Sequence, residues 1–363
     1  PNMGSQFGDL HVANRGISGD TTRGMLIRLE EDVLALRPRG VVMLMGTNDL
    51  EEGASPKTIA NNIGRILDQL IKSDRDLRIV LCNVFPSSAT KKRPATQIQD
   101  INGRLQKLVS TRTSVTLVDT WTLFANEKGD AKPSEFPDLL HPNADGYSKW
   151  AMAIRPVFAT LQWTETTPDE FQPETGFEVL FNGKDLTGWQ FTKSTDAQRK
   201  SSARMANRKQ GAIAWPIFEK DQLFDGETIT PDGRYAAIHG RLVVTTPEEG
   251  RRIQQLWTQA SFADDFTLKM DFRATPNADS GVFIRGRQLQ CRDYELAGPY
   301  DSLTRYRPGD WNELVIEVRG NSAHCTCNGE ILEQAFRVPE SGPIGLEGDR
   351  GQIEYRRIRL RRD

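Results

Sequence analysis

Apolar and polar positions follow two different patterns along the chain, and the pattern changes near residue 163. Before that point, near-continuous apolar runs alternate with segments whose apolar residues recur every three or four positions. The stretches 10–16 (LHVANRG), 40–49 (GVVMLMGTND), 77–85 (LRIVLCNVF) and 115–120 (VTLVDT) read as strands. A run with little polar alternation is what a parallel strand buried on both faces shows. Segments 22–36, 55–74, 97–110 and 144–161 read as helices, the second opened by Ser55 as N-cap and Pro56 at the first helical position. This alternation predicts an α/β domain over residues 1–163, with a parallel sheet covered by helices on both faces.

Residues 164–175 are polar, carry Pro and acids without periodicity, and read as a linker. From 176 to 363 short strands alternate apolar and polar positions between turn signals, with almost no helix. That pattern predicts an antiparallel, all-β sandwich. Cys327-Asn-Gly-Glu330 between two such strands is a hairpin signal. The basic, Ser-rich stretch 192–235 reads as a long surface loop, with a phosphate or polyanion site as the alternative.

Composition narrows the function classes. The 47 Lys and Arg against 49 Asp and Glu leave a net charge of -2, so no global field draws nucleic acid or an anionic membrane. No apolar run reaches the length of a spanning helix. The chain opens on PNMGSQFGDL without an initiator Met or a signal pattern, which leaves a removed leader open. Cys82 reads as a small buried hydrophobe. Cys325 and Cys327 would share one side of a strand, and His324 alone does not complete a zinc site, so no metal and no cofactor is expected. A disulfide from Cys291 to one of that pair stays open.

Three polar motifs fall at strand ends, where open α/β sheets bind ligands. They are NRGISGD (14–20), GTND (46–49) and DLLHPNADGY (138–147). A His three residues after an Asp can be a base held by its orienter. A glycine-flanked amide and a short carboxamide suit an oxyanion. In this order the motifs resemble the SGNH (GDSL-like) hydrolase family, esterases with a flavodoxin-like sheet, over nearly all of residues 1–163. The resemblance implies His141 as base, Asp138 as its orienter, and Gly16 and Asn48 as the oxyanion hole. It places the nucleophile in a G-D-S motif ahead of the glycine. No such motif precedes Gly16, Ser5 lacks the strand and the Asp, and Ser18 belongs to the turn. The expectation is therefore a nucleophile upstream of Pro1, on a strand between 10–16 and 40–48; the rival is an N-terminal loss that leaves an inert domain or one completed by another chain.

In the second half, LFNGKDLTGW (180–189) and SGVFIRG (280–286) resemble the 3-keto-disaccharide hydrolase family, which has a concanavalin-like jelly roll. The resemblance implies that Arg285 and the strand 288–293 line a glycan-facing surface. Where that family carries Glu-x-Gln and then Asp, this chain has Gln288, Gln290 and Asp293. An amide in place of the first acid cannot act as general acid or base. Arg285, Gln290, Asp293 and Glu295 are candidates to bind sugar hydroxyls, and Trp257, Tyr294, Tyr300 and Trp311 to stack on rings.

The expected function is a serine esterase removing acyl groups, foremost acetyl, from carbohydrate, with the jelly roll holding or processing the glycan. The alternative is a glycan-binding or 3-keto-glycoside-hydrolysing protein whose first domain is inert. Either implies a carbohydrate partner and a bacterial periplasmic or secreted setting.

Overall fold

A computed structural model describes residues 6–8, 10–206, 216–245 and 253–363. The chain forms two compact units, Pro1–Val157 and Phe158–Asp363.

In the first unit the elements run α1 (Thr22–Asp32), β1 (Gly40–Met43), α2 (Thr47–Glu51), α3 (Pro56–Ser73), β2 (Arg78–Cys82), α4 (Ala95–Val109), β3 (Val115–Val118), α5 (Thr120–Phe124) and α6 (Ala144–Thr160). The strands pair in parallel in the order β1-β2-β3. Ile79, Val80, Leu81 and Cys82 of the central strand are all buried, which is why its sequence lacks polar alternation. Ser55 Oγ accepts the Thr58 N–H at 3.1 Å and Pro56 opens α3. Ile59, Ile63, Ile66, Leu67 and Leu70 then form one buried stripe, packed in a common core with Ile98, Ile101 and Leu105 of α4.

Two sequence expectations fail here. Residues 10–16 form no strand and lie largely exposed, Val12 at 52 %. The stretch offers only Leu10 and Val12 as large apolar side chains, too few to anchor a ladder in a core. The run 40–49 splits, because β1 ends at Met43 and α2 begins at Thr47. Gly46 between them takes φ +118°, and a Cβ there would lie 3.1 Å from Ile59 Cγ2. The turn needs glycine for its conformation and for room.

The second unit holds β4 (Glu178–Val179), β5 (Trp189–Phe191), α7 (Asp196–Ala206), β6 (Gln222–Leu223), β7 (Tyr235–Ile238), β8 (Arg241–Val244), β9 (Gln254–Thr258), β10 (Phe266–Ala274), β11 (Gly281–Ile284), β12 (Arg287–Gln290), α8 (Tyr294–Ala297), β13 (Asn312–Arg319), β14 (Ser322–Cys327), β15 (Glu330–Arg337), β16 (Ile344–Gly348) and β17 (Ile353–Arg362). One sheet runs β15-β14-β13-β10-β17-β8-β7, with β4 beside β17, and the other runs β12-β11-β16-β9-β5-β6. Their inner faces share a single core that includes Leu256, Leu268, Val282, Ile316, Leu346 and Leu360. This is a jelly-roll sandwich, in which strands such as β9 and β13 bury alternate side chains while β8 and β16 are buried at every position. The stretch 192–235, expected as a loop, contains α7 and short strands, and its residues 207–215 lie outside the described set.

The segment read as a linker is strapped across the β10–β17 side of the sandwich. Glu165 meets Arg273 through two bonds of 2.9 Å. Asp169 pairs with Arg357 at 2.6 Å, and Glu174 with Arg359. The ring of Phe171 lies under both Arg357 and Arg359. The Arg359 contact pulls the Glu174 carboxyl down to about 2. Beneath the strap, Glu354 is fully buried and accepts from Arg241 at 3.2 Å and Arg273 at 3.0 Å. All four cysteines are buried free thiols, so the disulfide left open by the sequence is not formed. Among the described residues no helix is long and apolar enough to cross a membrane.

Removing Glu354 leaves two buried guanidinium groups short of a counter-charge. Glu354→Ala is expected to lower unfolding free energy by about 3–5 kcal/mol, measured by urea denaturation. A loss under about 1 kcal/mol would show that the cluster relaxes to water.

Candidate active site

His141 and Asp138 occupy the loop before α6, and local hydrogen bonds fix both. Asp138 Oδ1 accepts the N–H of Leu140 at 3.0 Å and of His141 at 2.8 Å. Its other oxygen, Oδ2, lies 2.7 Å from His141 Nδ1. Leu139 takes φ +61°, which folds the loop tightly enough for that ring contact. Asn143 caps α6 by accepting the Gly146 N–H at 2.9 Å. A Cβ on Gly146 would stand 2.9 Å from the Glu135 carbonyl, so the helix start presses on the preceding chain. Hydrogen bonds from the His141 backbone and ring hold the Asp138 carboxyl well below the usual carboxylate range. It stays ionised at neutral pH and keeps the Nδ1 proton, which turns Nε2 outward as an acceptor. The His141 side chain is 71 % exposed, and no described residue hydrogen-bonds Nε2.

Asn48 lies in the first turn of α2. Its Oδ1 accepts from Arg93 Nη2 at 3.1 Å, and its Nδ2 donates to the Asp20 carbonyl at 2.9 Å. One Nδ2–H therefore remains for a ligand. Asp49 beside it is buried and accepts the Thr22 N–H, tying the 14–20 loop to α2. Gly16 sits in that exposed loop with its N–H donated to Asn14 Oδ1 at 3.0 Å. It reaches an oxyanion only by exchanging that bond. Ser18 is exposed in the same loop, and Ser5 lies outside the described residues.

Sequence reasoning missed the segment 83–93, which braces both halves of the site. Ser87 Oγ donates to the Leu139 carbonyl at 2.7 Å, inside the Asp138–His141 loop. Arg93, only 2 % exposed, donates to the Thr47 carbonyl at 3.0 Å, to Asn48 and to Glu51 at 2.7 Å. The available signal was a loop after the central strand at the ligand-binding edge of the sheet.

In the second unit the glycan candidates separate. Arg285 spends both terminal nitrogens on the carbonyls of Gly320, Pro339, Ala263 and Asp264 at 2.7–3.1 Å, stapling loops rather than facing a ligand. Asp293 is buried and accepts from the Asn277 N–H at 2.8 Å and the Tyr306 hydroxyl at 3.2 Å; burial pushes its carboxyl up to about 6. Tyr294 is core, Tyr300 donates to Glu333, and Trp311 lies against Arg273 and Arg356. Gln290 and Trp257 do share one outer sheet face with Gln288 and Glu347, an acid the sequence reading did not single out. Among the described residues no three His, Cys, Asp or Glu side chains are placed to hold a metal.

Comparison with known proteins agrees with both halves. The GDSL-like Lipase/Acylhydrolase family matches residues 2–149. The 3-keto-alpha-glucoside-1,2-lyase-like domain matches residues 176–361. The chain belongs to the second of these families, whose match spans just over half of it, and its first half carries a GDSL-like lipase/acylhydrolase domain. Human platelet-activating factor acetylhydrolase IB subunit alpha2 is 28% identical over 167 residues, 46% of this chain and 71% of that protein. Acetylxylan esterase of Geobacillus stearothermophilus is 28% identical over 154 residues, 40% and 70%. A GDSL-like lipase from Bacteroides thetaiotaomicron superposes with TM-score 0.40 at 23% identity, covering 43% of this chain and 80% of that one.

The first half is a hydrolase domain, and Arg93 holds the Asn48 carboxamide within it; if Asn48 binds the oxyanion, Arg93 positions it. Arg93→Met in the full-length acylhydrolase is expected to lower kcat for ester hydrolysis by roughly tenfold to a hundredfold, with KM nearly unchanged. A change in KM alone would mean that Arg93 shapes substrate binding instead.

Proposed function

We propose that the acylhydrolase domain is a serine esterase that removes acyl groups, foremost acetyl, from carbohydrate. The observation that carries this reading is the 2.7 Å contact of His141 Nδ1 with Asp138, clamped by two backbone amides. A histidine held in one tautomer by an ionised carboxylate is poised to take a hydroxyl proton through Nε2. The serine oxygen then attacks the ester carbonyl carbon, and the oxyanion receives the spare Nδ2–H of Asn48. His141 returns the proton to the departing sugar hydroxyl. Water repeats the cycle on the acyl-enzyme, releasing the acid.

The carbohydrate half of the reading draws on the acetylxylan esterase relative and on the second domain's family. A periplasmic or secreted location belongs to the same proposal, since acylated polysaccharide is met there.

The test uses the full-length protein with p-nitrophenyl acetate and an acetylated xylo-oligosaccharide. His141→Ala is expected to reduce kcat by roughly 10³–10⁴ or more, and Asn48→Ala by roughly 10²–10³. Because Asp138 stays ionised through mildly acidic pH, Asp138→Asn should lower kcat without removing the acid limb of the pH–rate profile. Ester hydrolysis left intact in His141→Ala, or absent from the wild type, would overturn the assignment.

A further inference from the structure

The loop 14–20 has few anchors of its own. Ile17 is 57 % exposed, so its one large apolar side chain does not pin it to a core. The backbone bonds itself through the Asp20 N–H, which donates to the Ile17 carbonyl at 3.2 Å, and Gly19 turns it at φ +78°. An exposed, glycine-bearing loop of this kind samples many conformations unless side chains tie it down.

One side chain ties both ends. Arg28 of α1 donates through Nε to Asp20 Oδ2 at 2.8 Å and through Nη1 to the Arg15 carbonyl at 2.9 Å. Nη1 also donates to Asp32 Oδ2 at 2.6 Å, one helical turn further on, and Asp32 accepts from the Arg15 side chain as well. The Arg28 and Asp20 side chains are 19 % and 11 % exposed. The pair is therefore shielded from water in a way that Arg104 and Asp100 on α4, at 41 % and 48 %, are not. At the Asp20 end the fit is close. Asp20 Oδ1 accepts the Thr21 N–H at 2.8 Å, and a Cβ on Gly24 would stand 1.9 Å from that oxygen. The carboxylate thus lies against the first turn of α1, where the helix end favours negative charge. The Asp20 carbonyl in turn receives Asn48 Nδ2 at 2.9 Å.

The Arg15 end bears on chemistry. The Arg15 carbonyl and the Gly16 N–H belong to one peptide unit, and in a trans peptide they point in opposite directions. A guanidinium that grips the carbonyl therefore sets the direction of the N–H on the other side. It also draws electron density toward the carbonyl oxygen, which strengthens the N–H as a donor. We propose, on the reading of Gly16 and Asn48 as oxyanion donors, that Arg28 is a positioning residue for ester hydrolysis. Its guanidinium aims the Gly16 N–H and, through Asp20, steadies the Asn48 carboxamide. Arg28 itself touches no reacting atom. As the ester carbonyl oxygen gains charge it replaces Asn14 Oδ1, now 3.0 Å from the Gly16 nitrogen, while Arg28 keeps the peptide from rotating. The gain is preorganisation of donors toward a charge that exists only near the transition state. It falls on kcat and leaves ground-state binding almost untouched.

The test assays the full-length protein with p-nitrophenyl acetate, with rates taken per serine labelled by a fluorophosphonate so that unfolded protein is not counted. Arg28→Ala is expected to lower kcat roughly tenfold to a hundredfold, with KM nearly unchanged, and millimolar guanidinium chloride should return part of the loss. A purely structural role would not give that recovery. Arg28→Lys keeps the charge and one donor and should fall between Arg28→Ala and the wild type. Arg104→Ala removes an exposed pair and should keep the wild-type kcat. Wild-type kcat in Arg28→Ala, a loss confined to KM, or a loss that guanidinium leaves untouched overturns the inference while the esterase reading stands. Where Arg28→Ala does not fold, wild-type kcat in Arg28→Lys overturns it alone. No ester turnover by the wild type overturns the esterase reading and this inference with it.

Discussion

The first domain depends on how polar groups are satisfied at the carboxyl edge of a buried parallel sheet. The three strands end where buried carbonyls and amides have no ladder partner, and each unpaired group costs about 1–3 kcal/mol. Arg93 and Ser87 meet much of that demand from one loop. Arg93 takes the Thr47 carbonyl and the Asn48 amide oxygen, and Ser87 takes the Leu139 carbonyl. The same bonds that complete the sheet edge aim Asn48 and steady the loop of Asp138 and His141. Stability and the geometry of the candidate site are therefore not separable at this edge, and substitutions in the 83–93 loop report on both.

The second domain solves a different problem. Its broad sheet presents arginines from β10, β8 and β17, and like charges in rows repel. The chain just before the sandwich supplies acids and aromatics at matching positions, Glu165, Asp169, Phe171, Glu174 and Phe177. What reads as a loose linker is a strap whose order comes from its neighbours. On the other sheet the outer face carries amides and aromatics, with Glu347 accepting from Gln255 and Gln288. That contrast sets the two surfaces apart chemically: the first is neutralised by its own chain.

Much of this was legible in the sequence, and the failures have physical reasons. Continuous apolar runs identified β2 and β3, and the Ser55-Pro56 cap identified α3, because those signals are local. Asp138 and His141 were legible because a three-residue spacing closes its own hydrogen bonds. The 10–16 strand failed because a ladder needs a neighbour and a core side, which local pattern does not supply. Arg93 was hidden for the opposite reason. It gains its contacts from residues distant in sequence, Thr47 and Asn48, so the position does not look unusual in its own segment. The same holds for Arg285, whose four carbonyl partners come from separate loops.

The central claim is that His141 activates a serine hydroxyl in the acylhydrolase domain. It is tested most directly by treating the full-length protein with a fluorophosphonate ester and reading its intact mass and labelled peptide. The expected result is a single phosphonyl adduct on one serine, formed at a rate that collapses in His141→Ala. No adduct, or an adduct that forms equally fast without His141, would contradict it.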